Sequence, residues 1–264
     1  MLTIFVKDLM RFVRVETGLF ITGMAASGYL ISSGLDYSII TPLLAAFLLS
    51  CLGYAYNHMT DRDEDAVNDS GLNPLSENRY GKMITVGLLM ACIAMIPMLK
   101  PVPAMLYLLS ILAIISYSLF RLKKVFLLKN IYTGLFMALA FAIGALSGRP
   151  GPDTPSYFIF VFFMGFAVNL LGDIRGTEGD RKAGVKTIPV VFGVETAKTV
   201  MYATVLSVLM AVSSSGFTLL LFFSPFLTLM LIFLQQGQHR AARFSMLSSF
   251  PLFPVFLAVK MRVV

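Results

Sequence analysis

The chain has 264 residues, 57% of them hydrophobic and only 13% charged, and a mean hydropathy of +0.81. These values exclude an ordinary soluble domain and fit an all-α integral membrane protein. The net charge of +7 follows from membrane topology and anionic headgroups, and calls for no nucleic acid partner.

A membrane span needs about 20 mainly apolar residues. In chain order such stretches occupy roughly 13–33, 38–57, 82–99, 102–120, 130–148, 156–174, 194–214, 217–235 and 245–262. They predict nine transmembrane helices around a central cavity, within a single domain over residues 1–264. Lys7, Arg11 and Arg14 precede the first stretch. No convincing small-residue cleavage site follows, so the stretch reads as a retained helix and not a removed signal. With the N-terminus on one side, 17 of the 21 Lys and Arg fall on that side, leaving Lys100, Arg149, Lys260 and Arg262 on the other. By the positive-inside rule the chain is a multi-pass protein of the cell membrane with its N-terminus cytoplasmic. Cys51 and Cys92 fall inside spans and read as small packing residues.

The carboxylates are concentrated. Of 14 acidic residues, nine lie between Asp61 and Glu77 or between Asp173 and Asp180. Both clusters follow an apolar stretch, the second and the sixth, on the predicted cytoplasmic side. Ionisable groups gathered this way in a greasy chain default to a functional site. Asn57, Asp61 and Asp65 are spaced i, i+4, i+8, along one helical face. Asn169 and Asp173 repeat the i, i+4 step, and Asp180 lies seven further on, after a Gly179 that would let the chain turn back. The repeated Asn-x-x-x-Asp hints at two related four-helix halves with a ninth helix added.

Carboxylate and amide oxygens without His or Cys select hard cations, Mg²⁺ or Ca²⁺. Mg²⁺ takes a few carboxylates and fills its shell with water and phosphate oxygens. Two facing Asp clusters can therefore hold Mg²⁺ and a diphosphate between them. Asp61, Asp65, Asp173 and Asp180 are the candidate metal ligands and catalytic acids, with Glu178 a weaker one. Arg62, Lys82, Arg121, Lys123, Lys124, Arg175, Arg181, Lys182 and Lys186 are candidate counter-charges. Close helix approach is expected at Gly134, Gly144, Gly148, Gly165 and Gly172.

Three segments resemble the UbiA superfamily of membrane prenyltransferases. The first runs Asn57-His58-Met59-Thr60-Asp61-Arg62-Asp63-Glu64-Asp65. The second runs from Asp173 through Glu178-Gly179-Asp180-Arg181-Lys182-Ala183-Gly184-Val185-Lys186-Thr187 to Gly193. It is similar to the branch that holds chlorophyll synthases and archaeal digeranylgeranylglyceryl phosphate synthases. The third is Tyr117-Ser118-Leu119-Phe120-Arg121-Leu122-Lys123-Lys124, with Asn130 downstream. The resemblance implies a nine-helix fold, Mg²⁺ as cofactor and an isoprenyl diphosphate as donor. It places the diphosphate among Asn57, Arg62, Lys123, Lys124, Asn169, Arg181 and Lys186. Three departures stand out: His58 replaces an Asp, Gly176 stands where many members carry an Asp, and Asn73-Pro74-Leu75-Ser76 lacks the usual Arg.

The implied reaction transfers an isoprenyl group to an aromatic or lipid acceptor with release of diphosphate. A terpene cyclase of the same superfamily is a rival reading. A non-enzymatic transporter or ion-binding protein is another, although its charges would sit nearer the membrane midplane. The acceptor is not readable from the sequence.

Overall fold

The computed structural model describes residues 2–61, 73–213 and 217–263. Among these, all regular structure is helical. A short α1 (Leu2–Phe12) is divided from α2 (Val15–Ser33) by Arg14, whose φ of 46° is left-handed. There follow α3 (Ile40–Thr60), α4 (Arg79–Met95), α5 (Pro101–Leu119), α6 (Leu128–Ser147) and α7 (Thr154–Lys182). A short α8 (Ile188–Phe192) precedes α9 (Val194–Ser213), α10 (Phe217–Gln235) and α11 (His239–Val263).

Each of the nine apolar stretches coincides with one of the longer helices. Among the described residues, six segments are long and apolar enough to cross a membrane: Tyr37–Thr60, Arg79–Met98, Pro101–Leu119, Leu128–Ser147, Thr154–Lys182 and His239–Val259. Nine were expected. Helix α2 falls short because Glu16 and a series of Thr, Ser and Gly residues dilute its apolar character. Its hydroxyls are nevertheless satisfied within the helix: Thr22, Ser27 and Ser32 donate to the carbonyls of Gly18, Gly23 and Gly28 at 2.8, 2.8 and 3.0 Å. That lets such a segment lie in a low-dielectric setting.

Local chemistry sets several helix starts. The Asn78 side chain accepts from the backbone N–H groups of Tyr80 and Gly81, capping α4. Pro101 opens α5, where its missing N–H costs nothing.

Helix α6 is the hub, packing most extensively against α7 and α2. Two glycine contacts explain the α2–α6 crossing. A Cβ on Gly28 would strike the Phe141 carbonyl, and a Cβ on Gly144 would strike the Ala25 carbonyl. The α6–α7 crossing is built alike, since a Cβ on Gly165 would come within 2.9 Å of the Gly134 Cα. Gly148 also packs closely, against Ser32 and Ser33. Gly172 departs from expectation: a Cβ there would meet nothing, because the residue lines a cavity.

The largest core joins α2, α6, α7, α9, α10 and α11, with Phe223 4.9 Å from both Phe160 and Phe253, ring to ring. Helix α11 packs back on α2, closing the bundle, while α3, α4 and α5 share a second core. Met83, Val86, Met90 and Ile93 of α4 and Met105, Leu109 and Leu112 of α5 are exposed. Contiguous apolar exteriors of this kind face lipid. Cys51 and Cys92 are buried, unbridged packing residues.

Candidate active site

A cavity of about 350 Å³ lies within the bundle, lined from α2, α3, α5, α6, α7 and α11. Arg14, Tyr54, Asn57, Ser118, Lys129, Asn169 and Arg243 supply its polar lining. Phe20, Ile21, Ile114, Phe136, Met137, Leu247 and Phe250 supply its apolar walls. Such a mixture suits an amphiphilic ligand.

The first acidic cluster begins where α3 ends. The Asp61 N–H donates to the Asn57 carbonyl at 2.8 Å, and Asp61 is buried, at 5% exposure. The Asn57 side chain lines the cavity and accepts from the Ser118 hydroxyl at 3.5 Å. His58 is turned to structure, its ring stacked 5.8 Å from Phe12. Arg62, Asp63, Glu64 and Asp65 lie outside the described residues.

The second cluster is carried on one helix. Helix α7 continues to Lys182, two turns beyond the end of its apolar stretch, so the expected turn at Gly179 does not occur. Asn169, Asp173 and Asp180, four and then seven residues apart, therefore share a face. Asp173 is completely buried. The Lys129 ammonium donates to its Oδ1 at 2.6 Å, and the Asn130 amide donates to its Oδ2 at 2.8 Å. The same ammonium lies 3.7 Å from Asp180 Oδ2. That Asp180 oxygen is enclosed and has no hydrogen-bond partner, and the same is true of Asn169 Nδ2.

Tyr117, on α5, lines the cavity, and its ring packs 4.6 Å from that of Tyr132. The other expected contacts divide. Lys123 and Lys124 sit on a 3₁₀ turn between α5 and α6. Arg181 pairs with Glu178 at 3.2 Å on an exposed flank, and Lys186 is exposed beyond the helix. Sequence reasoning passed over Lys129 as a ligand of the acids, and over Arg14, Tyr54 and Arg243 as cavity residues. For Lys129-Asn130 the available signal was a cation and an amide retained in the first turn of an apolar helix.

Among the described residues, no group of three or more His, Cys, Asp or Glu could hold a metal ion. The donors that are described nevertheless fit a hard cation. Asp61 is a buried carboxylate at the start of the first cluster, and Asp180 offers an enclosed oxygen whose neighbour, the Lys129 ammonium at 3.7 Å, lies beyond hydrogen-bond distance. Asp173 is different, because Lys129 and Asn130 already occupy both its oxygens.

A helical bundle with an apolar exterior, buried carboxylates, and a cavity with both polar and aromatic lining defines a membrane protein with an internal binding site. The chain belongs to the UbiA prenyltransferase family, whose profile matches residues 19–258. It is 28% identical to the digeranylgeranylglyceryl phosphate synthase of Methanopyrus kandleri over 66% of this chain and 64% of the relative. It is 30% identical to the chloroplastic chlorophyll synthase of Avena sativa over 67% of this chain and 51% of the relative. The match thus spans less than two thirds of either relative. The fold is that of a UbiA homologue from Aeropyrum pernix K1, with a TM-score of 0.80, 17% identity, and coverage of 95% of this chain and 99% of that one. A UbiA homologue from Archaeoglobus fulgidus bound to GPP and Mg²⁺ superposes with a TM-score of 0.75 at 18% identity, over 96% and 99% of the two chains.

Proposed function

We propose that the protein is an Mg²⁺-dependent intramembrane prenyltransferase, a single domain over residues 1–264 with its N-terminus and both acidic clusters on the cytoplasmic side. It moves an isoprenyl group from an isoprenyl diphosphate to a lipid or aromatic acceptor and releases diphosphate. The observation that carries this reading is a cavity lined by Asn57 on α3 and Asn169 on α7, the two helices that bear the acidic clusters, with apolar walls beyond them. An enclosed carboxylate oxygen that makes no hydrogen bond costs about 1–3 kcal/mol, and at Asp180 a bound cation would add to the Lys129 ammonium 3.7 Å away in offsetting it. Asp61, Asp65 and Asp180 would hold Mg²⁺, which supplies charge neutralisation of the diphosphate when bound.

The remaining steps fall to the chain's own groups. Lys129, with Lys123 and Lys124 on the neighbouring turn, meets the negative charge that builds on the departing diphosphate. Asn57 and Asn169 orient its oxygens by their amides. As the allylic C–O bond breaks, the faces of Tyr117 and Tyr132 stand over the cationic carbon, an interaction that strengthens out of water. Phe136, Met137 and Phe250 exclude water from that carbon. The acceptor nucleophile then forms the new bond and loses its proton to a carboxylate in the pocket.

The test is turnover. The purified protein in nanodiscs is given labelled geranyl diphosphate, Mg²⁺ and a total lipid extract. Equimolar diphosphate and a labelled apolar adduct are expected. A cyclised product formed without extract would replace this reading with the cyclase, and absence of any diphosphate release would overturn both. Orientation is tested by reporter fusions, expected outside after Lys100 and Arg149 and inside near Arg79 and Lys124.

A further inference from the structure

Among the described residues none of α1 lines the cavity, yet α1 touches both flanks of the first acidic cluster. At the near flank the Phe12 ring stacks on that of His58, in the last turn of α3, 5.8 Å away and 20° from parallel. At the far flank the Asn73 amide donates to the Asp8 carbonyl at 3.0 Å. The Asn73 side-chain oxygen accepts from the Leu75 N–H, so one side chain ties α1 to the 3₁₀ turn Pro74–Glu77. Phe12 and Val13 share a small core with Ala55 and Leu75. In sequence, Asp61 and Asp65 fall between these two attachments.

The remaining faces of α1 are ordered. Leu9 and Phe12 pack inward. Val6 and Met10, one turn apart, are exposed at 44% and 50%. Lys7 and Arg11, again one turn apart, are exposed beside them. An amphipathic helix takes this order at a membrane surface, with its apolar edge among acyl chains and its cations among headgroups. The start of α4 repeats it: Arg79 and Lys82 are exposed on the first turn, ahead of the exposed Met83 and Val86. A Cβ on Gly81 would strike the Leu75 carbonyl, so α4 and the 3₁₀ turn that holds α1 pack as one unit. These three elements carry four cations, Lys7, Arg11, Arg79 and Lys82, against two acids, Asp8 and Glu77. Among the described residues neither acid forms an ion pair with any of the four. The excess of positive charge suits an anionic surface, and the apolar strip beside it suits lipid rather than a free anion.

We propose that α1, with the first turn of α4, is a docking surface for anionic lipid headgroups, and that docking steadies both flanks of the first acidic cluster through the Phe12–His58 stack and the Asn73–Asp8 hydrogen bond. The lipid surface stands by itself. Its consequence for the diphosphate donor rests on the prenyltransferase reading.

The test uses the full chain in phosphatidylcholine nanodiscs, with and without phosphatidylglycerol, read by amide hydrogen exchange. Phosphatidylglycerol should slow exchange across α1 by about tenfold or more, because each cation near an anionic surface adds to the attraction. The amides of Asp61 and Ser76, bonded to the Asn57 and Asn73 carbonyls at 2.8 Å, should slow with it. Lys7→Gln combined with Arg11→Gln should remove most of the response and leave exchange in pure phosphatidylcholine unchanged. His58→Ala should keep the response of α1 and lose that of Asp61, whereas His58→Phe, which retains a stacked ring, should keep both. Calorimetry with geranyl diphosphate and Mg²⁺ reads the consequence: phosphatidylglycerol should tighten binding by about fivefold or more in wild type and not in the double variant. An α1 indifferent to phosphatidylglycerol, or a full response in the double variant, would overturn the docking surface. Equal protection by inorganic phosphate in pure phosphatidylcholine would overturn the lipid as its occupant. Protection confined to α1, or a donor affinity indifferent to phosphatidylglycerol, would overturn the coupling. Absence of Mg²⁺-dependent geranyl diphosphate binding in every membrane would overturn the parent reading, while hydrogen exchange still decides the docking surface and its link to Asp61.

Discussion

Lys129 holds Asp173 at 2.6 Å in complete burial while standing 3.7 Å from Asp180. One ammonium thus serves two carboxylates seven residues apart on α7, from the first turn of α6. The Asn130 amide completes the Asp173 carboxylate, so the α6–α7 crossing and the polar end of the cavity are fixed together. Breaking a buried pair leaves an uncompensated charge. Lys129→Met should destabilise the protein by roughly 3–5 kcal/mol, read as a fall in thermal unfolding temperature in detergent. Lys129→Met with Asp173→Asn should recover most of that loss. If the double variant is no more stable than the single one, Asp173 is not held by Lys129.

Gly144 sits where α6 meets the Ala25 carbonyl of α2, with no room for a Cβ. Gly144→Ala must push the two helices apart, at a cost of about 1–3 kcal/mol or more. Gly87, in the interior of α4, has nothing near its would-be Cβ. Gly87→Ala should therefore be neutral or stabilise by roughly 0.5–1 kcal/mol. Equal unfolding temperatures for the two variants would refute the close crossing.

Gly176 lies between Asp173 and Asp180 on α7, and a Cβ there would meet nothing. Gly176→Asp should fold normally, since the helix propensity gained offsets about 0.2–0.5 kcal/mol of like-charge repulsion per neighbour. The added oxygens should tighten Mg²⁺ by about tenfold, roughly 1.4 kcal/mol, measured as a larger metal-dependent thermal shift. A smaller shift than wild type would count against Asp180 as a ligand.

On the opposite side of the bundle, Asp36 accepts from the Tyr29 hydroxyl at 2.8 and 3.0 Å and from the Ser38 N–H at 2.7 Å. The Tyr29 bond first, and the Ser38 amide next, hold the Asp36 carboxyl below its ordinary 3.8. A carboxyl lowered on folding stabilises the fold above its unfolded value and loses that contribution as pH falls through the folded one. Wild type should therefore unfold at a higher temperature than Asp36→Asn at neutral pH, and the gap should close below about pH 4. A gap that persists or widens in acid would show the carboxylate bonds to be unimportant.

The nine apolar stretches mark the longer helices because burial in lipid writes itself into composition. The short amphipathic α1 left no such mark, and neither did the continuation of α7 to Lys182. Its last turns are charged, and only the structure shows them still helical and presenting Asp180 beside Lys129. Asn57 and Asn169 were legible from their spacing to Asp61 and Asp173, and both line the cavity. Arg14 and Arg243 were legible only as topology charges. Spacing orders residues along one helix, whereas the cavity is made by helices far apart in sequence. Arg181 and Lys186 looked like ligands of the diphosphate for the same reason, yet they face outward.

The central claim is that the acidic clusters bind a prenyl diphosphate through Mg²⁺. Its most direct test is calorimetric titration of geranyl diphosphate into the purified protein, with Mg²⁺ and then with EDTA, for wild type and Asp61→Asn. Binding should require Mg²⁺, and Asp61→Asn should weaken it by roughly 1.5–3 kcal/mol, as for a lost charge-assisted contact. Binding that is equally tight in EDTA, or untouched in Asp61→Asn, would contradict the account.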